Sequence, residues 1–161
     1  RPEAVAEPRA DAGAAQEEAA RKRARLDGGA VEAARRELQA QGRLEGALLV
    51  EGRAPERKNA SINGVYARRA EAVNGHDSWE MVSPEPASRF LYYCRERSRW
   101  KIDAKLESDN KGYAYMKLAG ARSPAEAGLD EQWHVCDGKA QGYHKDPGVR
   151  CLSLLAAVAP L

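Results

Sequence analysis

Every aromatic ring in the chain falls within one stretch of sequence. All three Trp, all six Tyr and the single Phe lie between Tyr66 and Tyr143, and residues 1–65 carry none. Large rings dominate the burial energy of a small core, at roughly 25 cal/mol per Å² of apolar area removed from water. The distribution therefore places a folded core in the second part of the chain and denies the first part a core of its own. A length of 161 residues gives room for one domain and an extension.

The first part reads as an arm. Residues 1–13 are rich in Ala, Pro, Glu and Arg, with Pro2, Pro8 and Gly13 discouraging helix, so extended or disordered chain is expected there. Residues 14–43 read as a charged helical arm. Glu17 and Glu18 stand four residues before Arg21 and Lys22, an order that supports a helix, and Gly28-Gly29 breaks it. Asp27 is placed to cap a second helix from about residue 30 to residue 41, and Gly42 to stop it. Its apolar stripe, Val31, Ala34 and Leu38, is narrow. Such a stripe suits docking on a partner or on the chain's own domain, because a free helix of this length is marginal. The run Arg21-Lys22-Arg23-Ala24-Arg25 reads either as a nuclear address or phosphate contact, or as a solvated helix face, and the flanking acids favour the solvated face. Over residues 1–45 nine basic side chains balance nine acidic ones, and the whole chain carries only +2. That balance gives no strong field to hold a polyanion, so the nucleic-acid signal is weak.

From Leu44 the character changes. Residues 44–61 read as a linker in which Leu48-Leu49-Val50 is a short strand or a docking segment. Turn signals then recur at short spacing: Asn63-Gly64, Asn74-Gly75, Asp109-Asn110, Asp137-Gly138 and Pro147-Gly148. Apolar or aromatic runs between them predict strands at residues 65–68, 78–82, 90–95, 100–106, 113–118, 133–136 and 149–152. The clearest is 100–106, where Trp100, Ile102, Ala104 and Leu106 alternate with Lys101, Asp103 and Lys105. One face is expected to be buried and the other wet. The expected fold is mostly β: a small antiparallel meander, sandwich or barrel over residues 62–152, preceded by the helical arm and followed by an apolar tail at 153–161. No stretch approaches the ~20 apolar residues of a helical membrane span. The chain opens on Arg1, as expected of a processed or excerpted product.

The order of motifs carries a resemblance. It runs Ile62-Asn63-Gly64-Val65-Tyr66, Asn74-Gly75, Trp79, Leu91-Tyr92-Tyr93, Trp100-Lys101-Ile102, Gly112-Tyr113-Ala114, Trp133-His134-Val135-Cys136-Asp137-Gly138 and Pro147-Gly148-Val149. This resembles an aromatic-rich β module of about ninety residues common in proteins of dinoflagellates and related algae, often in tandem. The resemblance covers residues 62–152 and omits the arm. It departs at Trp79, where the family more often shows a Tyr-containing strand. It implies a β fold and an algal lineage, in which a plastid photosynthetic complex is a fitting assembly, and it implies no activity.

Each candidate for chemistry in the sequence also has a structural role open to it. Cys94 with His134 or His144 could in principle form a nucleophile and base, but Cys94 lies in an apolar strand, where a buried structural thiol is the default. His134, Cys136, His144 and Cys151 are four residues of zinc-ligand type, yet short-spaced Cys pairs are absent, so no metal or other cofactor is expected. A Cys136–Cys151 bridge is an alternative use of two of them. Asn59-Ala60-Ser61 is a formal glycosylation sequon. Trp100 and Trp133 are expected in the core.

The resulting expectation is a non-catalytic structural or protein-interaction module, an accessory or scaffolding subunit bound to other protein subunits, with intracellular location favoured. Its partner-binding residues would be Val31, Ala34 and Leu38 on the arm, Trp79, and the basic hairpin at Arg95, Arg97 and Arg99, placed to contact anions or acidic protein. The alternative is a ligand-binding module for carbohydrate or nucleic acid that uses exposed rings and the same hairpin.

Overall fold

The structure is a computed structural model and describes residues 28–84, 88–106, 111–127 and 131–157. The expectations for residues 1–27, with the basic run at 21–25, and for the Asp109-Asn110 turn lie outside the described residues. Among the described residues nine strands form one antiparallel sheet: β1 (Leu48–Glu51), β2 (Gly64–Arg68), β3 (Trp79–Ser83), β4 (Phe90–Cys94), β5 (Arg99–Asp103), β6 (Ala114–Met116), β7 (Trp133–Cys136), β8 (Tyr143–Asp146) and β9 (Arg150–Ser153). The first eight follow one another as a meander. β9 returns to pair with β1, so β8 and β9, neighbours in sequence, are the two edges. The sheet curls into a half-barrel, with helix α1 (Gly28–Ala40) before it and the single turn α2 (Leu154–Ala157) after it. This is the mostly β architecture with a preceding helix that the sequence pattern predicts.

Alternation along the strands builds the inner core. Tyr66, Trp79, Leu91, Trp100, Ile102, Met116, Trp133 and Val135 all turn inward into one buried cluster with Ile62, Val149 and Cys151. Trp79 and Trp100 meet edge to face, with ring centroids 5.8 Å apart. Tyr66 satisfies its hydroxyl by donating to the carbonyl of Ile62 at 2.7 Å. The loop signals divide. Asn74 and Gly75 both adopt positive φ (54° and 81°), the conformation that an Asn-Gly turn favours. Asn63-Gly64 is not a turn: Asn63 closes a short 3-10 segment and Gly64 opens β2.

On the opposite face of β1 and β2, Leu49, Val65 and Ala67 form a second cluster with Leu38, Ala47 and Leu154, and Val31 and Ala34 pack against it. The narrow stripe on α1 therefore docks on the chain's own sheet, one of the two settings left open by the sequence. Leu38 to Ala is expected to cost about 2–3 kcal/mol, because it removes the one fully buried side chain of the helix from a packed site. Chemical unfolding would read this as a lower midpoint, and a loss below half of that figure would show that the helix is held by its other contacts.

The segment read as a linker contributes a strand with a partner on both sides. β1 lies between β2 and β9, with Leu49 paired to Val65 on one side and Leu152 on the other. The sheet thus begins before residue 62. β5 also differs from expectation. It starts at Arg99, ends at Asp103, and its supposedly wet face is covered: Lys101 is 0% and Asp103 6% exposed.

Candidate functional site

The outer face of β4 to β8 carries the cations and rings that the core does not use. Residues paired across antiparallel strands share a face. The pairs Tyr92↔Lys101, Lys101↔Tyr115, Tyr115↔His134 and His134↔Lys145 run as one row across five strands. Lys101 reaches Asp103 Oδ2 at 3.4 Å and lies 5.6 Å from the centre of the Tyr92 ring. Gly112 packs over its stem: a Cβ there would stand 3.2 Å from Lys101 Cε and 2.5 Å from the carbonyl of Ile102. The Tyr143 hydroxyl donates to the Gly112 carbonyl. Burial, then Cys136 and Asp103, push that hydroxyl's pKa up to about 12. Alternation alone sends Lys101 and Asp103 to water. Rings from neighbouring strands and the return of the chain at Gly112 bury them instead.

Arg99 opens the adjacent row, paired with Cys94 on β4. Its guanidinium lies over the Tyr115 ring, 4.2 Å from the centroid, and His134 stacks parallel to the same ring at 4.8 Å. Arg99 is only 4% exposed, and its Nε and Nη2 are buried without a hydrogen-bond acceptor. These two nitrogens share one edge of the guanidinium plane, the edge that pairs two oxygens of a carboxylate or phosphate. A buried donor left unpaired costs about 1–3 kcal/mol. Burial lowers the pKa of Arg99, Arg97 lowers it further, and Tyr115, Cys94 and Tyr143 oppose them. Lys117, exposed, follows the last paired residue of β6, Met116, whose partner Trp100 follows Arg99.

The positive character of this face acts on His134. Burial lowers its pKa first, Lys145 and Lys117 lower it further, the backbone carbonyl of Gln132 raises it, and Arg99 lowers it. Its Nδ1 is buried without a partner. The buried Arg53 is matched instead by carboxylates, whereas Arg89, like Arg99, keeps a buried Nε without an acceptor. Arg53, 1% exposed, donates from Nη1 to Asp146 at 2.9 Å, from Nη2 to Asp137 at 2.6 Å and from Nε to the Lys58 carbonyl at 2.8 Å. Arg57 closes the same two carboxylates from outside. This clasp joins the loop after β1 to the ends of β7 and β8.

The sequence-selected residues separate. Arg95 and Arg97 are exposed on the short 3-10 turn between β4 and β5, whereas Arg99 is buried and not a surface contact as it stands. Trp79 is also buried, with Nε1 donating to the Gly46 carbonyl at 2.7 Å, so its ring is core and is not offered to a partner. Val31, Ala34 and Leu38 face the sheet, beside a groove of about 540 Å³. The four zinc-type residues are not brought together. His134 and Cys136 lie on the outer face, Cys151 is in the inner core, and His144 is exposed with Nε2 2.7 Å from the Gln141 carbonyl. Burial raises the Cys151 thiol pKa, and all three cysteines are free. Tyr115, Lys117 and Lys145 were missed as site residues, and His134 was weighed only as a base or zinc ligand; Tyr115 and Lys117 stand at outward positions of the strand predicted at 113–118, whereas Lys145 belongs to β8, which no pattern announces. Compared with known proteins, the chain matches no family, no curated protein and no solved structure.

Proposed function

We propose that the protein is a non-catalytic interaction module whose outer β5–β8 face docks an acidic segment of another protein subunit, as an accessory or scaffolding component. The observation that carries this reading is Arg99: a buried guanidinium with two donors unpaired and Arg97 acting on it, on the face where Lys117, Lys145 and Arg99 together depress His134. Acidic protein is the complementary surface, because charges of opposite sign across an interface set both encounter rate and register. The packing of α1 on the sheet supports a rigid platform with that helix as part of it. The algal resemblance supports a plastid complex as the setting.

Anisotropy titrations with a labelled Glu-rich peptide and a Lys-rich control test the reading. Binding to the acidic peptide alone is expected, weakening about tenfold between low and physiological ionic strength as the charges are screened. The Lys117→Glu, Lys145→Glu double variant, altered only at exposed positions, should lose it. Equal binding of both peptides, or an unaffected double variant, would sink the proposal.

A further inference from the structure

We infer that Arg97, Arg99 and Lys117 form the seat for a phosphoryl group carried on the docked acidic segment, so that phosphorylation of the partner switches the interaction on. The inference rests on the docking reading above and adds the chemistry of its anchor. Three observations at one end of strands β5 and β6 carry it. Arg99 presents Nε and Nη2 together, both buried and both unpaired. Lys117 is exposed and follows Met116, one register step beyond the Trp100↔Met116 pair, at the same end of the strands as Arg99. Arg97 is returned toward it by the turn at Ser98, whose φ is 51°, and is the charge that most strongly depresses the Arg99 guanidinium.

A single carboxylate pairs the two donors of Arg99 and leaves the other two cations unanswered. A phosphoryl group carries nearly two negative charges and three terminal oxygens. Two of these oxygens match the guanidinium edge and the third is free for the Lys117 ammonium. The Arg99 guanidinium sits over the Tyr115 ring, 4.2 Å from its centroid, with its donors shielded, so the seat is closed in the free protein. Docking turns the guanidinium off the ring, exchanging a cation–ring contact for a charge-assisted pair of hydrogen bonds, which is the stronger interaction.

The experiment uses the full chain and three labelled peptides identical except for one central Ser, phosphoserine or Glu in an acidic context. The phosphoserine peptide is expected to bind about tenfold or more tightly over the Glu peptide, the scale of one charge-assisted bidentate pair. Arg99→Lys keeps the charge but removes the paired edge and should erase that preference. Lys117→Ala, at an exposed position, should reduce it with the fold intact. Inorganic phosphate should compete at millimolar concentration, and vesicles containing phosphatidylserine should not bind. If phosphoserine and Glu peptides bind equally, with salt dependence, the phosphoryl seat is overturned while the docking reading stands. If no peptide binds, both fall. Binding to vesicles without peptide binding, or an Arg99→Lys protein that keeps the preference, also overturns the seat.

Discussion

Arg53→Ala is expected to destabilise the protein by about 3–5 kcal/mol, the range for removing one partner from a buried ion pair. The side chain makes three hydrogen bonds, and its backbone makes two more: its amide donates to Asn63 Oδ1 at 3.1 Å and its carbonyl accepts from Asn63 Nδ2 at 2.7 Å. Alanine leaves the backbone pair in place and strips the clasp, so Asp146, with its side chain 8% exposed, keeps the outer Arg57 as its cation and the Gly148 amide as a donor. Arg57→Ala is the control. It touches the same carboxylates but is 41% exposed, and about 1 kcal/mol or less is expected from it. Urea unfolding of both variants at neutral pH separates the cases, and equal losses would refute a clasp held from within. The acid limb gives a second reading. Hydrogen bonding from Arg53 holds the Asp137 carboxyl below its ordinary 3.8, with the Arg53 charge and Arg57 adding to the effect against burial. The folded protein therefore keeps this carboxylate ionised longer than the unfolded chain does. Its contribution is complete above pH 3.8 and is lost as pH falls from there through the lower folded-state value. Arg53→Ala should flatten that part of the stability profile.

The clasp also shows what the sequence conceals. Its arginines sit in a charged loop around Pro55 and its carboxylates at two strand ends 84 and 93 positions away, so no local pattern joins them. The signal available was indirect: Asp137 and Asp146 each stand immediately before or within a turn signal. The inner face was far more legible. Trp100 and Ile102, Ala114 and Met116, and Trp133 and Val135 alternate as half-buried strands must, and each takes its inward place. β8 escaped because Tyr143-His144-Lys145-Asp146 has no apolar alternation. At the open edge of the sheet its inward positions are filled by His144 and Asp146, the latter held by Arg53. The candidate site was half legible. A basic hairpin is visible in Arg95, Arg97 and Arg99, but the burial of Arg99 and Lys101 depends on Tyr92 and Tyr115 from neighbouring strands. Single-strand periodicity assigns polar residues to water and carries no information about such covers.

Gly52→Ala is expected to be the other large effect, and a second glycine isolates its cause. Gly52 and Gly46 both hold positive φ, 101° and 88°, so alanine at either position meets the same kind of backbone strain, about 1–2 kcal/mol. They differ in what a Cβ would meet. At Gly46 the nearest atoms are Arg68 Cδ and Nε at 3.6 Å, ordinary contact with a flexible side chain. At Gly52 the Cβ would fall 1.8 Å from the Gly148 carbonyl oxygen and 2.7 Å from its carbon, and backbone cannot rotate aside. Relief requires the turn between β8 and β9 to move. Two contacts resist that movement: the Glu51↔Arg150 pairing of β1 with β9, and Asp146, which accepts from the Gly148 amide at 3.0 Å and from Arg53. Gly52→Ala should therefore lose roughly 2 kcal/mol or more beyond Gly46→Ala, in the upper range of single substitutions. It should also lose part of the effect of Arg53→Ala when the two are combined, because residues sharing one network do not add. Equal losses at the two glycines would mean that the close approach of Gly52 to Gly148 does not constrain the fold, and full additivity with Arg53→Ala would mean that the turn and the clasp are independent.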